Sequence, residues 1–248
     1  MLQIEHLTKT YGNLIAVNDL TMTIEDGDIF GFIGLNGAGK TTTIKSVVGI
    51  QRFDSGEILI NGTSIKTNPT ACKKQLAYIP DNPDLYEFMS GIKYLNFVAD
   101  IFGLSQHDRK ERIDKYAGGL ELKADLLSPI SSYSHGMKQK LAVISALIHQ
   151  PRLMVLDEPF VGLDPKATFQ VKEYFKEMTD GGASIFFSTH GLEVAQNLCN
   201  KIAIIQKGKL LEVGPTEEIA GKKSLERVFL DLLNEGTSAG SLSGTAGR

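Results

Sequence analysis

Gly34-Leu35-Asn36-Gly37-Ala38-Gly39-Lys40-Thr41 is the stretch on which the fold turns. It fits the pattern G-x-x-x-x-G-K-[ST] at every fixed position. It stands between an apolar run, Ile29-Phe30-Gly31-Phe32-Ile33, and a helix-forming segment from Lys40 to Val48. Strand, glycine loop and helix in that order are the context that gives the pattern its meaning. The glycines let the backbone wrap so that successive N–H groups point at a β-phosphate. Lys40 brings a point charge between the β- and γ-phosphates, and the Thr41 hydroxyl is placed to ligate Mg²⁺. The positive end of the helix adds to both. The segment predicts a nucleoside triphosphate site.

Downstream, Leu153-Met154-Val155-Leu156 is an apolar strand ending in Asp157-Glu158-Pro159. Ligands of doubly wound sheets sit at the carboxyl ends of strands. If this strand neighbours the one before the phosphate loop, Asp157 reaches the Mg²⁺ shell. Side chains alternate along a strand, so Glu158 is expected to point elsewhere, towards the γ-phosphate and its attacking water, as a general base. The last third alternates strand and helix: Leu153–Leu156, Lys166–Met178, Ala183–Phe187, Leu192–Leu198 and Ile202–Ile205. That order predicts βα units and a parallel sheet. A hairpin around Lys207-Gly208-Lys209 follows, then a short helix near Glu217–Leu233.

Upstream and between these motifs the pattern changes twice. The first sixty-five residues hold short alternating runs, with Asn61-Gly62 marking a hairpin. Ile92, Leu95, Val98, Ala99 and Phe102 then recur at helical spacing, and residues 83–150 read as mostly helical. The run from Gly236 to Arg248, rich in Gly, Ser, Ala and Thr, reads as a flexible tail.

Composition narrows the class. The 248 residues predict one large domain, and 42% hydrophobic with 22% charged residues excludes wholesale disorder. A net charge of −3 leaves no dominant basic footprint for nucleic acid. Cys72 and Cys199 are far apart and lack metal-type spacing. Neither a signal-peptide apolar region nor an 18-residue apolar run is found. The chain is expected in the cytosol, meeting a membrane only through a partner.

A second helix start carries a further signal. Ser134 stands where an N-cap belongs, before apolar Met137, Leu141, Ile144 and Ile148 on one helical face. The Ser134 hydroxyl, the Gly136 amide and Lys138 at a positive helix end also make an anion-binding surface.

Together these elements resemble the nucleotide-binding subunits of ABC transporters over roughly residues 1–235. The match runs in order: the phosphate loop, Tyr133 to Gln139 as a signature motif, Leu156-Asp157-Glu158-Pro159, Gly162-Leu163-Asp164-Pro165 as a D-loop, and Ser188-Thr189-His190 as a switch histidine. The resemblance implies an α/β P-loop NTPase with a RecA-like core, a small antiparallel β subdomain and a helical signature subdomain. It implies ATP hydrolysis with Mg²⁺ as cofactor. Tyr11 resembles the aromatic that stacks on adenine, Thr42 the α-phosphate contact, Glu158 the catalytic base and His190 the γ-phosphate sensor. Gly34, Leu35, Asn36, Gly37, Ala38, Gly39, Lys40 and Thr41 would wrap the phosphates. By the same resemblance Ser134, His135, Gly136 and Lys138 would face ATP bound by a second protomer, with Asp164 at the seam of a homodimer. Thr41, Asp157 and Asp81 would be the metal site.

Two departures from the family pattern stand out. Tyr133, His135 and Met137 replace three residues of its usual Leu-Ser-Gly-Gly-Gln, and Asp81 replaces its Q-loop glutamine. Both variants look like those of bacterial ABC-2-type exporters, which implies a polytopic permease partner at the cytoplasmic face of the cell membrane, with no nucleic acid partner. The competing reading is a soluble ABC ATPase acting on ribosomes or another cytosolic machine. A small P-loop kinase or GTPase leaves the signature and Glu158 unexplained.

Overall fold

The structure, a computed structural model, describes residues 1–221 and 223–238. Alternation in the first residues folds as the hairpin β1 (Leu2–Tyr11) and β2 (Leu14–Ile24), and β3 (Ile29–Ile33) leads through the phosphate loop into α1 (Lys40–Val47). β4 (Ser55–Ile60) and β5 (Thr63–Ser64) turn at Asn61 and Gly62, as the sequence predicts. Next come α2 (Pro69–Lys73), β6 (Leu76–Ile79) and the helices α3 (Gly91–Ile101), α4 (Gln106–Gly119) and α5 (His135–Leu147). The chain then alternates through β7 (Leu153–Asp157), α6 (Pro165–Asp180), β8 (Ser184–Thr189), α7 (Leu192–Leu198), β9 (Lys201–Gln206) and β10 (Lys209–Pro215). It continues through α8 (Thr216–Ala220) and α9 (Leu225–Ser238).

Two sheets result. β2-β1-β4-β5 is antiparallel, and the larger sheet runs β10-β9-β3-β8-β7-β6. Its strands are parallel except β10, which pairs antiparallel with β9. β3, β7 and β8 are buried at every position, as parallel strands covered on both faces must be. Their period of two feeds two cores. Ile29, Ile33, Met154, Leu156, Ile185 and Phe187 pack with the helices. Phe30, Phe32, Leu153, Val155 and Phe186 pack on the other face with α1 and the antiparallel sheet. Phe186 meets Phe30 edge-on and Phe32 at a tilt, with centroids 6.1 and 5.7 Å away.

Three expectations change on contact with the structure. β7 does not neighbour β3, because β8 lies between them. The expected helix near Glu217–Leu233 is two helices, broken at Gly221 with φ +55. α9 runs to Ser238, into the stretch read as a tail, and residues 239–248 lie outside the described residues. Among the described residues no helix is long and apolar enough to cross a membrane.

Candidate active site

A cleft of about 570 Å³ opens at the carboxyl ends of the parallel strands. Tyr11, Leu35, Asn36, Gly37, Gly39, Lys40, Thr41, Thr42, Asp81, Asp157 and Glu158 line it, all of them residues the sequence singles out. The turn into α1 depends on Gly39, whose φ of +110 strains any residue with a side chain. A Cβ there would stand 2.5 Å from the Ala16 carbonyl oxygen. Gly34 and Ala38 of the same loop face away: a Cβ on Gly34 would meet Ile205, and Ala38 is buried in the core.

Lys40 is 7% exposed, and its ammonium donates to the Gly34 carbonyl at 2.7 Å. Burial pushes its pKa below the ordinary lysine value, and the carboxylates of Glu158 and Asp157 pull it back up. The Thr41 hydroxyl donates to Asp157 Oδ2 at 2.7 Å, so the two groups meet although one strand separates β3 from β7. β8 supplies the link from its own end, where the Ser188 hydroxyl donates to Asp157 Oδ1.

Glu158 corrects the expectation that alternation would send it away from Asp157. It has φ +50, so strand alternation stops at Asp157 and both carboxylates line one cleft. Its backbone N–H donates to the Ser188 carbonyl at 3.2 Å, which holds this left-handed turn. Glu158 Oε1 lies 3.0 Å from His190 Nδ1 and 3.9 Å from Lys40 Nζ. Gln139, fully buried, donates to the Pro159 carbonyl at 3.2 Å and fixes the following residue from α5.

The signature residues stand apart from the cleft of their own chain. Ser134 caps α5 by accepting from the Met137 N–H at 3.3 Å. His135 and Gly136 pack on Gly162, close enough that a Cβ on Gly136 would come within 2.7 Å of the Gly162 carbonyl oxygen. Lys138 is paired with Glu87. Asp164 caps α6 through the Ala167 N–H at 2.8 Å and pairs with Lys140 at 2.8 Å. Those bonds hold its carboxyl below the usual carboxylate range.

Sequence reasoning missed part of the cleft. Leu14, Ile15 and Ala16 of β2 and Lys207 of the β9–β10 turn also line it. The signal available was Gly12-Asn13 as a turn after Tyr11, which puts Leu14 opposite Tyr11. The Lys207 turn reaches the phosphate loop because Gly208 N–H donates to the Ala38 carbonyl at 2.8 Å.

A glycine loop with buried lysine, a threonine on a strand-end aspartate and a glutamate beside a histidine define a P-loop ATPase. Residues 17–161 match the family described as ABC transporter, and the chain belongs to that family. The ABC transporter ATP-binding protein YhcH of Bacillus subtilis (strain 168) is 37% identical over 215 residues, 86% of this chain and 69% of that one. The linearmycin resistance ATP-binding protein LnrL of the same organism is 31% identical over 225 residues, 90% of this chain and 71% of that one. A solved structure of the ATP binding subunit of an ABC transporter aligns with TM-score 0.90 at 33% identity, covering 94% of this chain and 99% of that chain.

Proposed function

We propose that this ATPase works as a dimer around two ATP molecules and powers a separate membrane-spanning permease, in the direction of export. The observation that carries the ATP chemistry is the convergence of Lys40, Thr41, Asp157 and Glu158 on one cleft. The dimer reading is supported by the place of Ser134 and Gly136, a capped helix start outside the cleft of its own chain. Export is supported by the resistance role in the name of the LnrL relative. The chain then sits on the cytoplasmic face of the membrane, held there by its partner.

The donor set fits Mg²⁺. This ion takes oxygen ligands, often one or two carboxylates with substrate phosphates and waters, rather than an all-protein cage. The Thr41 hydroxyl and Asp157 already meet, and Asp81 lines the same cleft. Thr41, Asp157 and Asp81 would hold the ion, which would supply neutralisation of phosphate charge. Lys40 and the loop amides hold the phosphates, and Tyr11 stacks on the base. Ser134, His135 and Gly136 of the second protomer would face the γ-phosphate, with Asp164 at the seam. Glu158 takes the proton of the attacking water as its oxygen bonds to the γ-phosphorus and the ADP oxygen leaves. His190 holds that carboxylate in place.

Glu158→Gln keeps the shape and removes the base. It should bind ATP, dimerise on size exclusion and hydrolyse about 10²–10⁴-fold more slowly, the range for a lost general base. Parental turnover would remove Glu158 from the reaction. Detergent extraction of this variant with ATP, from its own host, should bring down a polytopic membrane protein in stoichiometric amount. Ribosomal proteins alone would replace the transporter reading with the soluble one.

A further inference from the structure

Lys9 precedes Tyr11 by two residues on β1, and its ammonium lies 5.1 Å from the centre of the Tyr11 ring. That is within reach of the ring's negative face. The Lys9 side chain is 12% exposed, and its ammonium is held by Asp54 Oδ1 at 3.3 Å. The other oxygen of Asp54 accepts the Thr10 N–H at 2.6 Å and the Thr10 hydroxyl at 2.7 Å. The Asp54 N–H in turn donates to the Thr8 carbonyl at 2.9 Å. One aspartate, just before β4, therefore clamps residues 8, 9 and 10 directly ahead of Tyr11. Tyr11 lines the nucleotide cleft and Lys9 does not. The cation therefore approaches the Tyr11 ring without lining the cleft itself.

We propose that Lys9 and Asp54 are positioning residues for the nucleobase: Asp54 holds the Lys9 ammonium against one face of Tyr11, and the purine stacks on the other. This rests on the reading of Tyr11 as the base platform. A cation behind the ring fixes its plane before binding, which lowers the ordering cost when the base arrives.

The test uses two probes on the full chain, ATP and inorganic tripolyphosphate, which has the charges without the base. Lys9→Met keeps the aliphatic stem and removes the charge. It should weaken ATP about two- to five-fold, the size of an exposed cation–π contact, and leave tripolyphosphate unchanged. Lys9→Arg should restore ATP affinity. Asp54→Asn should follow Lys9→Met, and neither change should add to the loss in Tyr11→Ala. Equal losses for ATP and tripolyphosphate would show general damage to the loop and overturn the proposal. So would a Lys9→Met effect that persists undiminished in the Tyr11→Ala background, or no Lys9→Met effect beside a costly Tyr11→Ala. A Tyr11→Ala variant with parental ATP affinity would instead overturn the base-platform reading itself.

Discussion

Gly37 and Gly39 belong to one loop and both have positive φ, yet the structure predicts different costs for giving each a side chain. Gly37 has φ +78, and a Cβ built there meets nothing within 4 Å. Gly37→Ala therefore bears only the left-handed penalty, about 1–2 kcal/mol. Gly39 has φ +110, and its Cβ would press to 2.5 Å on the Ala16 carbonyl oxygen, a backbone atom of β2. No rotamer relieves that contact. Overpacking of this kind adds about 1–3 kcal/mol, so Gly39→Ala should cost about 2–5 kcal/mol in total. In a chain of this size each kcal/mol lowers the melting temperature by about 2–4 °C. Thermal denaturation followed by circular dichroism should show a drop of about 2–8 °C for Gly37→Ala and about 4–20 °C for Gly39→Ala, the second exceeding the first by about 2–12 °C. Equal losses would refute the reasoning, because they would mean that the approach of β2 to the loop carries no steric cost.

Two further outcomes test the supports around the site. Asp28 is 4% exposed and accepts the Glu25 N–H at 2.8 Å, the Asn200 amide at 2.8 Å and the Lys201 ammonium at 3.0 Å. Asp28→Ala strands all three donors and should cost about 2–3 kcal/mol in urea denaturation; a loss below about 0.5 kcal/mol would deny the network its role. Tyr78 is pushed up from its ordinary 10.0 to about 12, chiefly by burial and then by the charges of Asp157 and Asp81. Its neutral form is the one the fold favours. That stability is whole below pH 10.0 and is lost as pH rises towards about 12, since the unfolded chain releases this proton first. Tyr78→Phe should flatten this alkaline loss, and at neutral pH it removes a hydroxyl with no hydrogen-bond partner at little or no cost. An unchanged alkaline slope in the variant would remove Tyr78 from the account.

Local chemistry was legible in the sequence where one segment decides it. The phosphate loop reads directly because strand, glycines and helix are contiguous, and Ile29 to Ile33 lie fully buried as their run suggests. The cap at Ser134 reads for the same reason, whereas the cap at Asp164 is visible only in the structure. β1 and β2 were only partly visible because register shifts after Ile4, Leu7 and Lys9 break the alternation that marks a strand. β6 has four residues and sits at the sheet edge, too short for a periodic signal.

Strand order was hidden for a different reason. That β8 lies between β3 and β7 follows from how two crossovers pack, and no spacing within either motif encodes it. The convergence of Asp157 and Glu158 was hidden by one dihedral. A regular strand would have split them to opposite faces, and the left-handed Glu158 brings them together. Such a conformation costs about 1–3 kcal/mol and persists only where the surroundings enforce it. Here Ser188 binds the Glu158 N–H and Gln139 holds the Pro159 carbonyl, each from a different element. Gln139 belongs to the same helix that Ser134 caps, so this helix braces the backbone beside Glu158. The buried Gln139 side chain therefore ties α5 to the turn that carries Glu158, beside the packing of Gly136 on Gly162.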